Sequence, residues 1–217
     1  MREEIDTDFE TWSKKWNRKS KKQVVVEPRN DALEIKVIPT GIPTFDTILG
    51  PTGREEQGFP RGRTTLLFGE PSSGKTLLSQ IAIASAQQRG GRAMFFDIEK
   101  TFDPRWFELT GVDTDPTKLV VARPDNMEQT FDMIVDALEN LKPDVIVVDS
   151  IPAMMPKAVM LADMEKQDFQ GVNARKITEG IKKCTQANDT TVLIFINQLR
   201  VSLGCVDPST TITWRRV

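Results

Sequence analysis

The feature that most constrains this chain is the segment at residues 69–76, GEPSSGKT, which fits the pattern G-x-x-x-x-G-K-[ST]. An apolar segment precedes it and a segment with helical periodicity follows it, which argues against a chance match. A loop between a strand and a helix points its main-chain amides inward, and the helix adds its positive dipole end. We therefore predict a phosphate cradle for ATP made of Gly69, Glu70, Pro71, Ser72, Ser73, Gly74, Lys75 and Thr76.

Within this loop, Lys75 is expected to reach the β and γ phosphate oxygens, and the Thr76 hydroxyl to ligate Mg²⁺. A second motif, which carries a carboxylate, supports the metal site. The apolar run VIVVD ends on Asp149 and is followed by Ser150. A buried carboxylate without a partner is costly, so we expect Asp149 to hold the metal, through water. The motif is weak alone and persuasive beside the phosphate loop. The predicted cofactors are ATP and Mg²⁺.

Hydrolysis also requires a group that activates water, and the strand MFFDIE carries Asp97 and Glu99 near its end. Glu99 is the predicted general base. The alternative is a surface carboxylate that lies just beyond the strand.

Apolar and amphipathic segments alternate along the chain from Leu33 onward. Strands are predicted at 63–68, 93–97, 118–121, 145–149 and 191–196, and helices at 76–89, 126–141 and 172–187. Asn126 is the expected N-cap of the second helix, with Gln129 three residues later. This order predicts an α/β fold with a mostly parallel central sheet and helices on both faces. Ligands bind such sheets at the carboxyl ends of the strands.

Composition limits the remaining possibilities. The 29 Lys and Arg against 31 Asp and Glu give a net charge of -2, so contact with nucleic acid needs a local basic patch. Two cysteines and no histidine exclude a disulfide framework and a zinc pattern. No apolar run approaches the roughly 20 residues of a membrane span. We expect a soluble, cytoplasmic protein that does not contact membranes.

The first thirty residues or so are strongly charged and form an arm with its linker. Phe9, Trp12 and Trp16 recur at helical spacing, which predicts a short amphipathic helix. These aromatic residues would pack on the chain's own domain or on a neighbouring subunit. A solvated arm without a binding role is the alternative.

Several blocks go beyond a generic phosphate loop: IPTGIPTFDTILG, GEPSSGKTLL, FFDIEKTFDPRWFELTGVD, ARPDNMEQ, VIVVDSIPAMMPKAV and LIFINQLR. In order and spacing they resemble the RecA recombinase family of bacteria and phages, over residues 38–204. The resemblance implies a RecA-like P-loop NTPase fold and a DNA-dependent ATPase. It also implies binding of single-stranded and double-stranded DNA, filament assembly, and a role in homologous recombination, DNA repair and the SOS response to DNA damage.

The resemblance also assigns residues. Glu99 matches the family's water-activating glutamate, and Gln198 matches its γ-phosphate sensor, so Glu99, Lys75 and Gln198 form the expected catalytic set. Asp103 and Trp106 match the positions that hold adenine, although the family usually has Tyr at the second position. Trp keeps a flat ring for stacking and lacks the phenolic hydroxyl.

The resemblance places the first DNA-binding loop at residues 156–171. Arg175 and Lys182, in the helix that follows, match positions that contact the DNA backbone. Such contacts provide affinity without reading sequence. A solvated basic helix face is the alternative.

After Gly204 the resemblance stops and CVDPSTTITWRRV follows, so the core is expected to be incomplete at its C-terminus. Cys205 resembles the first residue of an intein, whose thiol attacks the preceding carbonyl. A frayed tail is the equal alternative. The expected organisation is an arm and linker at 1–32, an ATPase core at 33–204 and a foreign tail at 205–217.

Two other functions stay open at this point. A RecA-like motor or regulatory ATPase, such as a hexameric helicase or a clock-type ATPase, would share the phosphate loop and the metal carboxylate. An inactive recombinase fragment would bind nucleotide without hydrolysing it or assembling.

Overall fold

Strands and helices alternate along the chain. The computed structural model describes residues 9–20, 35–49, 56–161 and 170–199. The strands in these ranges are β1 (Val37–Ile38), β2 (Phe59–Pro60), β3 (Arg63–Gly69), β4 (Ala93–Asp97), β5 (Leu119–Ala122), β6 (Val145–Asp149) and β7 (Val192–Gln198). The helices are α1 (Phe9–Lys19), α2 (Pro43–Leu49), α3 (Lys75–Gln88), α4 (Pro104–Leu109), α5 (Met127–Asp136), α6 (Lys157–Met160) and α7 (Gln170–Ala187).

The chain divides into two compact units, residues 1–35 and 36–217. The described part of the first unit is α1, which confirms the helix expected from the aromatic spacing. The Trp12 and Trp16 rings lie 6.1 Å apart, and the Lys19 ammonium lies 5.5 Å from the centre of the Trp16 ring. The surface on which this helix docks stays a prediction.

Five parallel strands of the second unit form one sheet, in the order β3-β7-β6-β4-β5. All five predicted strand segments are strands of this sheet, which confirms the expected α/β architecture. Three strands differ at their ends: β3 ends one residue later than predicted, β5 both begins and ends one residue later, and β7 begins one residue later and continues to Gln198. That extension carries β7 as far as the end of β3.

Alternate residues of the strands pack against helices on opposite faces of the sheet. On one face, Phe95 and Val147 belong to the core cluster that contains Ile83 of α3. On the other, Phe96 belongs to the cluster that contains Phe131 of α5. Both β4 and β6 are therefore buried along their whole length, which explains why they read as continuous apolar runs.

The start of α5 confirms the predicted cap. The Asn126 side chain accepts a hydrogen bond from the Gln129 amide at 2.9 Å. The Gln129 side chain in turn accepts from the Asp125 amide at 2.7 Å, one residue before the cap. A π-helical turn, Ala137–Leu141, continues α5 to the end that the sequence predicts.

A small antiparallel pair, β1 with β2, lies outside the main sheet and was not expected from periodicity. Val37 lies opposite Pro60 and Ile38 opposite Phe59, and the last two side chains are fully buried. Two-residue strands are too short to show a repeating pattern. Among the described helices, none combines the length and apolar character that a membrane span requires.

Candidate active site

The carboxyl ends of four neighbouring strands meet at one edge of the sheet. Register places Gly69, the last residue of β3, opposite Gln198 of β7. It also places Asp97 of β4 opposite Asp149 of β6. The residues of each pair are distant in sequence. All four therefore lie at the edge at which parallel sheets bind ligands.

The phosphate loop leaves β3 and turns directly into α3. A Cβ added to Gly69 would lie 2.8 Å from the Ser73 Oγ, so a side chain here would displace that hydroxyl. Gly74 begins α3 with a φ of 86°, a left-handed conformation that glycine adopts without strain. Gly74 provides no side-chain cap for the first turn of α3, and uncapped amides at a helix N-terminus can bind an anion.

Lys75 extends back over the loop. Its Nζ donates to the carbonyl oxygens of Gly69 at 3.1 Å and Glu70 at 2.6 Å, and to the Ser73 Oγ at 3.3 Å. An ammonium held only by neutral oxygens can exchange these acceptors for charged phosphate oxygens, which bind it more strongly.

Thr76 and Asp149 meet across the site. The Thr76 hydroxyl donates to the Asp149 Oδ2 at 2.8 Å, and the Asp149 side chain is buried. Burial raises the pKa of the Asp149 carboxyl, and the nearby charges of Glu99 and Asp97 raise it further, against the Thr76 hydrogen bond. A buried carboxylate among like charges is a suitable partner for a cation.

These oxygen donors fit Mg²⁺, which prefers hard oxygen ligands. The described ranges contain no group of three His, Cys, Asp or Glu that could enclose a metal ion. A cation held by Thr76 and Asp149 would therefore share its remaining coordination with phosphate oxygens and water, as Mg²⁺ commonly does in nucleotide sites.

Glu99 lies at the centre of a hydrogen-bonded group. Its Oε1 accepts from the Gln198 Nε2 at 3.1 Å and from the Ser150 hydroxyl. Its main-chain amide donates to the Asp149 carbonyl at 3.2 Å. The structure thus brings the predicted base and the predicted sensor into direct contact, while their roles stay predictions.

Sequence reasoning gave no role to three residues beside this group, Ser150, Asp97 and Arg123. Ser150 follows Asp149 directly, and its place in the motif VIVVDS was the available signal. The Asp97 carboxylate binds Arg123, which directly follows β5, and no local sequence pattern predicts this contact.

Asp103 and Trp106 lie on α4, which follows β4 along the chain. Asp103 is the N-cap of α4, and its Oδ1 accepts from the Arg105 amide at 3.0 Å. Trp106, one turn later, is 51% exposed and so presents a ring surface to solvent. The cap gives Asp103 a structural role, and the adenine contact stays a prediction.

Arg175 and Lys182 lie on α7, outside the strand ends and loop that form the phosphate site. Both side chains are exposed, and their separation of about two helical turns places them on the same face. Because α7 begins at Gln170, the last two residues of the predicted loop are helical. The short helix α6 occupies part of its beginning, and residues 162–169 lie outside the described residues.

Glu128 of α5 ties the two sides of that loop. Its carboxylate accepts from the Lys157 amide at 2.9 Å and from the ammonium of Lys176 in α7.

The predicted tail at 205–217, with Cys205, and most of the arm and linker lie outside the described residues.

Comparisons with known proteins agree with this geometry. The model of the RecA N-terminal domain family matches residues 4–216. Proteins named Protein RecA from Francisella tularensis subsp. novicida, subsp. tularensis and subsp. holarctica are each 38% identical to the chain over 184 residues, 83% of this chain and 49% of theirs. The chain thus spans about half the length of these relatives. Because the family match covers nearly all of the chain and its motifs converge at one sheet edge, this protein belongs to the RecA family.

Proposed function

We propose that this chain is the ATP-binding and hydrolysing part of a DNA-dependent recombinase that acts in homologous recombination and DNA repair. The observation that carries the proposal is the meeting of Thr76 with Asp149 and of Glu99 with Gln198 at the edge where the phosphate loop ends β3. Each of these contacts joins residues that are far apart in sequence and that hydrolysis needs together.

Binding begins at the phosphate loop. Its amides and the first turn of α3 hold the triphosphate, and Lys75 exchanges its loop carbonyls for phosphate oxygens. Thr76 and Asp149 would hold Mg²⁺, which neutralises charge on the phosphates when bound. Adenine would lie on the exposed Trp106 ring, beside Asp103.

Hydrolysis would start with a water positioned by Glu99, which accepts its proton as the water oxygen attacks the γ-phosphorus. The bond from the γ-phosphorus to the bridging oxygen would break, and ADP would leave with that oxygen. In the structure Gln198 donates to Oε1 of the Glu99 carboxylate at 3.1 Å. A γ-phosphate would compete for the Gln198 amide and so release Glu99. Because Gln198 ends β7, this exchange would pass the nucleotide state to the residues after that strand.

DNA would bind through contacts that do not read sequence. Arg175 and Lys182 present their charges on one exposed face of α7, as phosphate contacts require. The proposed partners are single-stranded and double-stranded DNA and further copies of the chain in a filament. With this function the protein would act in the cytoplasm, in the SOS response to DNA damage.

The organisation into 1–32, 33–204 and 205–217 is also part of the proposal, with Cys205 as the start of an intein and a frayed tail as its alternative. The family match itself continues to residue 216. In the intein case the Cys205 thiol adds to the Gly204 carbonyl and the amide nitrogen leaves as an amine, which forms a thioester. The genomic sequence downstream of the Val217 codon tests this, because it would encode the body of an intein in the first case and not in the second.

ATP hydrolysis with and without single-stranded DNA tests the main proposal, together with calorimetric binding of ATP and magnesium. We expect binding by the wild type, DNA-stimulated turnover, and loss of turnover in Lys75→Ala. Binding without turnover would support the inactive-fragment alternative. Rings in place of filaments by electron microscopy would support the motor alternative, and no binding to the well-folded chain would refute the site.

A further inference from the structure

An ion pair between a buried carboxylate and a half-exposed arginine lies next to the proposed base. The Asp97 side chain, at the end of β4, is 0% exposed, and its Oδ2 lies 2.7 Å from Nη2 of Arg123. The Nε of Arg123 donates to the same oxygen at 2.8 Å. Arg123 follows β5 directly, so the pair joins the ends of two neighbouring strands.

The other oxygen of Asp97 holds the main chain that follows β4. Its Oδ1 accepts from the amides of Thr101 at 2.8 Å and Phe102 at 3.3 Å. One carboxylate thus accepts three hydrogen bonds, one from the Arg123 Nε and two from the turn, and it also forms an ion pair with Nη2 of Arg123. This satisfies a charge whose burial without partners would be costly.

The segment held in this way contains Glu99. The amides of Ile98 and Glu99 donate to the Asp149 carbonyl at 2.9 and 3.2 Å, which fixes the start of the turn. Lys100 has a φ of 58°, which reverses the chain toward Asp97. Glu99 therefore projects from a short turn that is attached at one end to β6 and at the other to Asp97.

Arg123 also balances negative charge at this edge of the sheet. Asp97, Asp149 and Glu99 bring three carboxylates to the carboxyl edge of the sheet, and Asp97 lies opposite Asp149 in register. Arg123 is 51% exposed, yet its guanidinium reaches the buried Asp97. The guanidinium neutralises the charge of Asp97, which neither holds the metal nor activates water in the proposed function.

Resting on the proposed hydrolysis at this site, we propose that Asp97 and Arg123 are a positioning pair. They hold the turn 98–102 so that Glu99 meets the attacking water, and they contact neither water nor nucleotide. Removing the arginine leaves the phosphate loop intact and releases the turn, so the rate of cleavage falls while affinity for ATP is kept.

Arg123→Met, Arg123→Lys and a matched control test this pair in the full chain. The control is Arg61→Met, since Arg61 also lies 2.7 Å from an aspartate, Asp144, at the opposite end of the strands. We expect Arg123→Met to lower kcat on the order of ten- to a hundredfold, because small misplacements of reacting groups are costly. The dissociation constant for ATP with magnesium should stay within roughly threefold of the wild type.

The conservative variant separates positioning from stability. Arg123→Lys keeps the charge but not the planar fork, so it should recover part of kcat. Arg61→Met should keep the wild-type kcat even where its melting temperature falls. If Arg123→Met loses no more kcat than Arg61→Met, the positioning pair is refuted.

Amide hydrogen exchange keeps the inference testable apart from the proposed function. If the wild type binds ATP but shows no turnover, the hydrolysis proposal fails, and exchange at Thr101 and Phe102 decides whether the pair holds the turn. We expect faster exchange of these amides in Arg123→Met and wild-type exchange in Arg61→Met. Unchanged exchange in Arg123→Met would overturn the pair.

Discussion

Gly180→Ala in α7 is a sharp test of how α7 is packed. A Cβ added at Gly180 would lie 2.4 Å from Cδ2 of Phe131 and 2.5 Å from both Cε2 and Cγ. Carbon atoms in contact are about 3.5–4.0 Å apart, so the ring would have to move by about 1 Å. Phe131 is 5% exposed, and its ring lies 6.3 Å from that of Phe195, which leaves little space for the movement.

Two effects oppose each other in this substitution. Alanine favours a helix interior over glycine by about 1 kcal/mol. Overfilling a packed core costs about 1–3 kcal/mol, and a ring confined on both sides belongs to the upper part of that range. We expect a net loss of about 1–2 kcal/mol in the free energy of unfolding. This corresponds to a fall of about 2–8 °C in melting temperature.

Urea and thermal unfolding, followed by circular dichroism, measure the effect on the chain without ligand. Thr178→Ala is the control, since Thr178 is exposed on the same helix and its substitution improves helix propensity without a clash. Gly180→Ala should cost less in a Phe131→Leu background, which frees space at the ring. A stabilising Gly180→Ala, or an equal cost in both backgrounds, would refute the reasoning.

The remaining predictions concern three side chains. Glu99→Gln should keep ATP bound and slow its cleavage about 10²- to 10⁴-fold in single-turnover assays, and normal cleavage would contradict its role as base. Gln80→Leu should raise the free energy of unfolding by about 1–3 kcal/mol in urea titrations, because both polar atoms of this buried side chain lack a hydrogen-bond partner among the described residues. Burial raises the pKa of the Cys184 thiol to about 12, so the folded protein should resist iodoacetamide at this residue at pH 8, and peptide mapping should show labelling only in urea. Since unfolding restores a lower pKa, stability should also fall as pH rises above about 9, and no loss there would count against this shift.

Local patterns were sufficient for the five strands of the main sheet, for the long helices and for the position of the loop at residues 69–76. The strand before residues 69–76 and the helix after them are where periodicity predicts them, because each depends on neighbours within a few residues. The same holds for the cap of α5 at Asn126 and for Asp149 at the end of an apolar run. The short pair β1 and β2 escaped prediction because two residues show no period.

The contacts that make these parts into a site depend on the order and register of the strands. Glu99 and Gln198 are 99 residues apart and touch because a single strand, β6, separates β4 from β7 in the sheet. Arg123 reaches Asp97 because β5 lies beside β4. The sequence by itself determined which residue types end each strand, since that is local. Only the tertiary structure decided which of them meet, because strand order follows from packing both faces of the sheet at once.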